Sequence, residues 1–363
     1  MSFDRSIRAS LRFSVSDQHG FTIVEFLVAA AISLVMLAVI AQVFMGARTS
    51  YLYQTAMARM QESARFATDL ISQDVRSAGF QGCGAVGITA NVITNSSLSW
   101  WLDTTNPVRG YDLNTGFPAD FTNVVTSSDG VVLIRSDSVS ERLVTAHDPG
   151  TSTISVSSGH QFEPGEILFM TDCQNSVFFQ MSGPTGGTPP VLTIEHLTTN
   201  AVISPNNCQK DLGGNCGSAT AHTFSPGGLV SRVVSNAYFI APASSGNGNA
   251  LWMRMLSRSG TVATTILQEM VPGVQAMKLL YGVNDIGDAD SSADRYLRAN
   301  EVDSQNQRGQ IVSIKLELLL RSEENNLAST PQTYVFNGTS VTATDRNLYR
   351  VISTTLNLRN RTT

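Results

Sequence analysis

Proline is absent between Phe21 and Asn106, and the only glycines before Gly79 are Gly20 and Gly46. That long stretch therefore holds almost nothing that must break a helix. Lysine is scarce as well, occurring only at Lys210, Lys278 and Lys315. The formal net charge is −5. A protein that holds nucleic acid by neutralising phosphates needs a basic face, so this balance argues against that class. The phosphate-loop, nucleophile-elbow and H-E-x-x-H signatures are all missing. His147, His160, His196 and His222 stand scattered on polar stretches and are expected to be surface side chains rather than ligands. No nucleophile, base and oxyanion site can be assembled, so the chain is not expected to be an enzyme.

What is present supports a folded protein. The 363 residues are 42% hydrophobic and 15% charged, enough for a sizeable core. Four cysteines occur, Cys83, Cys173, Cys208 and Cys216, all after the one long apolar segment. There is no C-x-x-C and no Cys/His spacing suited to structural zinc. If the apolar segment crosses a membrane, the cysteines share one side of it. An even count on an extracytoplasmic side favours disulfides over buried thiols, with three pairings open.

The apolar segment, 21–44, reads FTIVEFLVAAAISLVMLAVIAQVF. As a helix it is long enough to cross a hydrocarbon core of about 30 Å. The preceding residues, 1–20, are polar, with Arg5, Arg8 and Arg12 against Asp4 and Asp17. The positive-inside tendency keeps this leader in the cytoplasm and exports the chain beyond the span. A secretory signal has its small-residue cleavage site after the apolar stretch. Here the small residue, Gly20, precedes it. Cleavage there would leave the apolar helix on the mature protein.

Glu25 lies inside the apolar run. Such a carboxylate costs about 3 kcal/mol in a membrane, so it usually has a partner and a role. Cleavage after Gly20 would create an α-amine at Phe21, about one helical turn away. That amine, on the same chain or a neighbour, is the natural counter-charge. A tolerated interfacial glutamate is the blander reading, and Gly20-Phe21 beside it weighs against that.

The sequence Gly20-Phe21-Thr22-Ile23-Val24-Glu25 ahead of an apolar run resembles the signal of type IV prepilins and type II secretion pseudopilins. The resemblance implies cleavage after Gly20 by the prepilin peptidase, N-methylation of Phe21, and a docking role for Glu25 in a filament.

Beyond the span, Tyr53, Met57, Met60, Ala64, Ala67, Ile71, Val75 and Ala78 step by three and four, one face of an amphipathic helix. Arg59, Glu62, Arg65, Asp69 and Gln73 lie opposite. Gly79 is a suitable stop. One helix over 21–78 would be roughly 85 Å long; an anchor plus a separate helix hinged near Gly46 is the alternative. After Gly79, strands are expected at Val131–Arg135, Glu141–Thr145, Glu166–Met170, Val177–Met181, Val230–Ile240, Leu251–Leu256, Val274–Tyr281 and Val312–Leu320. The expected fold class is α+β, pilin-like: a long N-terminal α-helix packed on a largely antiparallel β domain with long loops. The expected organisation is a removed leader (1–20), a transmembrane part (21–44), an amphipathic continuation (45–78) and an extracytoplasmic β-rich domain (79–363), with room for two lobes.

Several fragments narrow the resemblance. SARFATDLISQDVRSAGFQGC at Ser63–Cys83, EILFMTDCQNSVFFQ at Glu166–Gln180, NAYFIAPAS at Asn236–Ser244 and LWMR at Leu251–Arg254 look like the PilW family of minor pilins. So do MVPGVQAMKLLYGVNDIGD at Met270–Asp288 and IVSIKLELLLRS at Ile311–Ser322. The resemblance implies a minor pilin that primes type IV pilus assembly from the inner membrane and sits near the pilus tip. Its partners would be other minor pilins, the major pilin and the prepilin peptidase, with a tip adhesin as a further candidate and no nucleic acid. Two other readings stand beside it: a J-like type II secretion pseudopilin, and a membrane-anchored adhesin with a ligand-binding head. The expected disulfides are Cys83–Cys173, tying the end of the helix to the sheet, and Cys208–Cys216, closing a compact Gly-Asn-rich loop. Finally, Asp285, Asp288, Asp290 and Asp294 form an acidic loop. Calcium takes six to eight such oxygens, but the spacing is not that of an EF-hand. An ordinary acidic turn is preferred, and no cofactor is otherwise expected.

Overall fold

The computed structural model describes residues 20, 22–83, 88–94, 100–103, 106–157, 159–184, 191–199, 202–218, 220–285 and 292–361. Helix α1 (Ile23–Ser77) runs unbroken through Gly46. The chain divides within it into two units, Met1–Gln54 and Thr55–Thr363. In the first unit the helix has no polar face to speak of, and Ile23, Phe26, Leu37 and Phe44 are all exposed. That is the surface of a helix solvated by lipid or by other apolar helices, not by water.

In the second unit the same helix becomes amphipathic. Ala56, Met60, Ala64, Ala67, Ile71 and Val75 are buried, with Ala78 just past its end. Arg59, Glu62, Arg65, Asp69 and Gln73 are exposed. Tyr53, expected on the buried face, is exposed, and it falls in the first unit. Gly79 ends the helix with φ +75°, a left-handed turn that costs glycine little. Its N–H then donates to Ile134 O, which directs the chain onto the sheet.

The main sheet holds eight strands. They are β1 (Ile88–Asn91), β2 (Val108–Tyr111), β3 (Gly130–Arg142), β5 (Ile167–Thr171), β6 (Asn175–Gln180), β8 (Leu229–Pro242), β9 (Asn249–Ser259) and β10 (Val262–Pro272). Strand β8 organises the sheet. One of its edges pairs with β3 along most of its length. The other is shared: residues 229–232 pair with β5, and residues 236–242 pair with β9. All pairings are antiparallel except β1 with β6. A separate two-stranded antiparallel pair joins β4 (Thr153–Ser155) and β7 (Thr193–Glu195).

The second sheet is antiparallel, in the order β12 (Arg295–Leu297), β11 (Val274–Val283), β13 (Ile311–Arg321), β16 (Tyr349–Asn357). A further hairpin pairs β14 (Thr333–Phe336) with β15 (Thr339–Thr342), and α2 (Ala299–Ser304) precedes β13. The expected strands at Val230–Ile240 and Val312–Leu320 are β8 and β13. Glu141–Thr145 is not a strand of its own: Glu141 and Arg142 end β3, and Leu143 makes an isolated bridge to Val156. Strands β10 and β16 lie outside the expected set, because they are edges whose side chains are half-exposed and carry no clean alternation.

Three clusters of buried apolar side chains result. The first joins the small-residue face of α1 to β11, β13, the C-terminal half of β8 and the N-terminal half of β9, through Ile71, Tyr238, Leu251, Met277, Leu316 and Leu318. Burying a side chain such as Ile71 contributes roughly 1.5–3 kcal/mol. The second lies around β5, β6 and the loops that carry Phe162, Leu212 and Phe224. The third fills the other face of the main sheet with Trp100, Phe121, Phe169, Phe178 and Phe239. This architecture is α+β and pilin-like: one long N-terminal helix with an antiparallel-dominated β domain.

Candidate functional site

Gly20 is exposed and leads into the start of α1. Thr22 caps the helix there. Its N–H and hydroxyl each donate to Glu25 Oε2 at 3.0 Å, and Glu25 N–H donates back to Thr22 Oγ1 at 3.3 Å. This reciprocal pair is a capping box, which satisfies backbone donors that a helix start otherwise leaves unpaired. It also places the Glu25 carboxylate against the backbone of the residue next to Phe21. Phe21 itself lies outside the described residues. The neighbours of Glu25 are exposed apolar side chains, Ile23, Val24, Phe26 and Leu27. Among its described residues the first unit therefore offers one carboxylate, near the start of a helix that is apolar from Phe26 to Phe44 but for Ser33 and Gln42.

The helix is tied to the head by a buried polar site that the sequence reading did not single out. Asp74 sits on the buried side of α1 at 6% exposure. Tyr238 OH and Asn236 Nδ2 each donate to its Oδ2 at 2.6 Å, and Arg135 Nε donates to its Oδ1 at 3.3 Å. Burial, reinforced by the Asp74 charge, holds the Tyr238 hydroxyl far above its usual range, so it stays a donor. A signal for Asp74 did exist: it is an acid at the inward phase of an amphipathic helix, next to Val75 and three after Ile71.

Residues 237–360 match the family described as Type IV Pilus-assembly protein W, and residues 15–41 match the Prokaryotic N-terminal methylation motif. The second match covers Gly20, Thr22 and Glu25; the first covers β9 to β16 and the end of β8. Over 237–360 the chain is PilW-like, and its N-terminus carries the prokaryotic methylation motif. Its prepilin motif and apolar helix anchor it in the inner membrane and assign it to the type IV pilus. Both matched families are structural pilus families. No curated protein and no solved structure matches the chain.

In this PilW-like chain the structure joins Cys83 to Cys173, with Cα atoms 5.5 Å apart, and Cys208 to Cys216, with Cα atoms 5.7 Å apart. Cys83 comes after the helix, and Cys173 lies in the turn between β5 and β6. The Cys208–Cys216 loop docks on β1: Cys208 N–H donates to Val92 O and Cys216 N–H to Asn91 O. One bridge thus staples the helix exit to the main sheet, and the other covers a sheet edge.

The histidines correct the sequence reading. His147, His160 and His196 are buried, at 2%, 8% and 0% exposure. His147 Nε2 and His196 Nε2 are 3.3 Å apart, so one neutral ring donates to the other. Phe224 and Phe179 pack edge-on against these rings. Burial lowers the pKa of His147, and burial followed by the proximity of His147 brings His196 down to about 3. His222 Nε2 is 2.8 Å from Asp172 Oδ2. Burial alone would raise Asp172, but hydrogen bonds led by Asn175 N–H and His222 leave it lower than usual. Polar sequence neighbours had suggested surface positions; the sheet brings these rings inward.

In the acidic loop, Asp288 and Asp290 lie outside the described residues. Asp294 Oδ2 accepts from Asp285 N–H at 2.7 Å, and Asp285 Oδ1 accepts from Arg295 at 2.9 Å. Among the described residues no group of three or more His, Cys, Asp or Glu is placed to hold a metal ion.

Proposed function

We propose that this chain is a minor pilin that primes type IV pilus assembly, cut after Gly20 and carrying a methylated amine on Phe21. Residues 21–44 span the inner membrane, and 45–78 continue the helix into the head. Glu25 accepts the α-amine of Phe21, from its own chain on release of the leader and from a neighbouring pilin on assembly. The observation that carries this reading is the lone carboxylate in the apolar helix, held by Thr22 at the residue next to Phe21. Buried ion pairs of this kind set register better than they add stability. The match of 237–360 to the pilus-assembly family supports the pilus over a secretion pseudopilus. Position at the tip, and contact with other minor pilins and the major pilin, rest on that likeness.

Glu25→Ala should insert into the membrane at normal level yet be missing from sheared pili. Its presence in pili at the unsubstituted level would remove the docking role. Deleting the chain should cut pilus number by an order of magnitude, and unchanged piliation would remove the priming role.

A further inference from the structure

Among the described residues, every ion pair but one draws its cation from arginine or histidine, and the exception is Lys278 of β11. Of the other two lysines, Lys210 donates to Gly150 O and Lys315 is exposed. Lys278 Nζ lies 2.8 Å from Asp129 Oδ1, one covalent bond away from Cγ. The Lys278 side chain is 25% exposed and that of Asp129 10%. A guanidinium does not give up its proton in a protein, whereas a lysine ammonium can, and the amine it leaves is a nucleophile.

The backbone holds these two side chains against each other. Asp129 leads into β3 of the main sheet, and Lys278 lies in β11 of the second sheet. Asp129 N–H donates to Met277 O at 2.8 Å. Ser128 Oγ accepts from Met277 N–H at 2.8 Å and donates to Met277 O at 3.1 Å. On the other side of the lysine, Leu279 N–H donates to Asp129 Oδ2 at 2.9 Å. The amine is therefore flanked by two residues that are both bonded to 128–129. Glu317, opposite Lys278 on β13, is engaged elsewhere: it accepts Asn337 N–H at 2.9 Å. Asp112, Asp129 and Lys278 line one cavity of about 150 Å³. Burial raises the Asp129 pKa, outweighing hydrogen bonds from Lys278 and Leu279, and the Asp112 charge adds a smaller push upward. A carboxyl held this way takes a proton more readily, and the protonated form is the one an amine attacks.

We propose that Lys278 and Asp129 condense to an intramolecular amide that joins the two sheets covalently. A proton passes from the Lys278 ammonium to Asp129 Oδ1, leaving a neutral amine beside a neutral carboxyl. Nζ then attacks Cγ, and the negative charge that develops falls on Oδ2, where Leu279 N–H already donates. The nitrogen passes a second proton to Oδ1, the Cγ–Oδ1 bond breaks, and one water leaves. Atoms and charge balance with no oxidant, reductant or co-reactant. Groups fixed in reacting positions show effective molarities of roughly 10⁵–10⁸ M. Burial works in the same direction, because it penalises an ion pair and not an amide. The bond ties β3 to β11 where neither disulfide reaches. An amide does not titrate, so in acid β11 is held by the bond itself. The inference does not depend on the priming role.

The test is a peptide map, by mass spectrometry, of the full-length chain taken from its own membrane. Trypsin cuts after lysine and arginine, so an uncondensed pair gives 110–135, 259–278 and 279–295 as separate peptides. None of the three contains a cysteine, so a disulfide cannot join them. An amidated lysine is not cut. The expected product is therefore 110–135 joined to an intact 259–295, lighter than the two together by one water. Fragmentation of that product should place the junction at Asp129 and Lys278. Lys278→Arg keeps the cation but cannot form the amide, so the joined product should vanish and cleavage after position 278 should return. Recovery of the unsubstituted chain mainly as separate peptides, a junction between any other two residues, or a joined product that persists in Lys278→Arg would each overturn the proposal. If Lys278→Arg fails to accumulate, the map of the unsubstituted chain decides alone. Pilus number is not read here, so the priming role can fail without touching this result.

Discussion

The two ends of the main sheet are stabilised by different means. Where the C-terminal end of β8 meets the N-terminal end of β9, the small-residue face of α1 and the second sheet form one large apolar cluster with no disulfide and no histidine. Around β5 and β6 the cluster is smaller, and it comes with both disulfides and the four described histidines. No member of that second cluster falls in the residues that match the pilus-assembly family. The difference is physical. A long helix supplies a continuous apolar face, whereas loops such as 202–218 supply isolated side chains. Covalent bridges on the exported side offset what a small core cannot provide.

Breaking the bridges is the strongest challenge to this contrast. Cys83 and Cys173 are 90 residues apart, and Cys208 and Cys216 are 8 apart. Loop-closure entropy then assigns the long bridge about 4.6 kcal/mol and the short one about 2.5 kcal/mol. Replacing Cys83 and Cys173 by serine should make β5 and β6 amides exchange freely while those of β13 stay protected. Equal loss in both sheets would mean the two ends are one cooperative unit.

Asp74→Ala attacks the helix-backed end, and it leaves Arg135 and Tyr238 without their buried partner. The expected loss is about 3 kcal/mol, read as a lower denaturant midpoint, with Ile71 and β13 affected first. A cost near zero would mean that apolar contacts alone hold the helix.

Acid should separate the ends without any mutation. His196 has a folded pKa of about 3 against 6.5 unfolded. Above the unfolded value both states are neutral. Below it the unfolded chain takes up a proton that the folded chain refuses, so stability is lost as pH falls from about 6.5 toward 3. By pH 5 this one ring should cost about 2 kcal/mol. At the helix-backed end burial raises Asp129, outweighing its 2.8 Å pairing with Lys278. An acid raised in the folded state contributes stability that is present at low pH and lost as pH rises, the opposite slope. Hydrogen exchange at pH 7 and pH 5 should therefore show β5 and β6 loosening while β11 holds. Parallel loosening would defeat this account.

The smallest effect belongs to the surface. Arg59 and Glu324 meet at 2.8 Å, but Arg59 is 61% exposed. Arg59→Ala should shift stability by no more than about 0.5 kcal/mol in a melting curve.

The sequence alone determined the helix, its change from apolar to amphipathic character, the lone carboxylate of Glu25 in the apolar run and the α+β class. These are local: they come from period, from the lack of proline and from one charge among apolar residues. Strands β8 and β13 were legible for the same reason, since each is buried enough to read as an apolar run. Edge strands β10 and β16 were not, because half-exposed positions carry no strict alternation. Nor was the burial of His147 and His196, whose sequence neighbours are polar and whose apolar neighbours come from other strands. Asp74 shows the boundary most clearly. Its place on the inward face could be read from spacing, but Arg135, Asn236 and Tyr238, which make that burial tolerable, meet it only when the sheet closes over the helix.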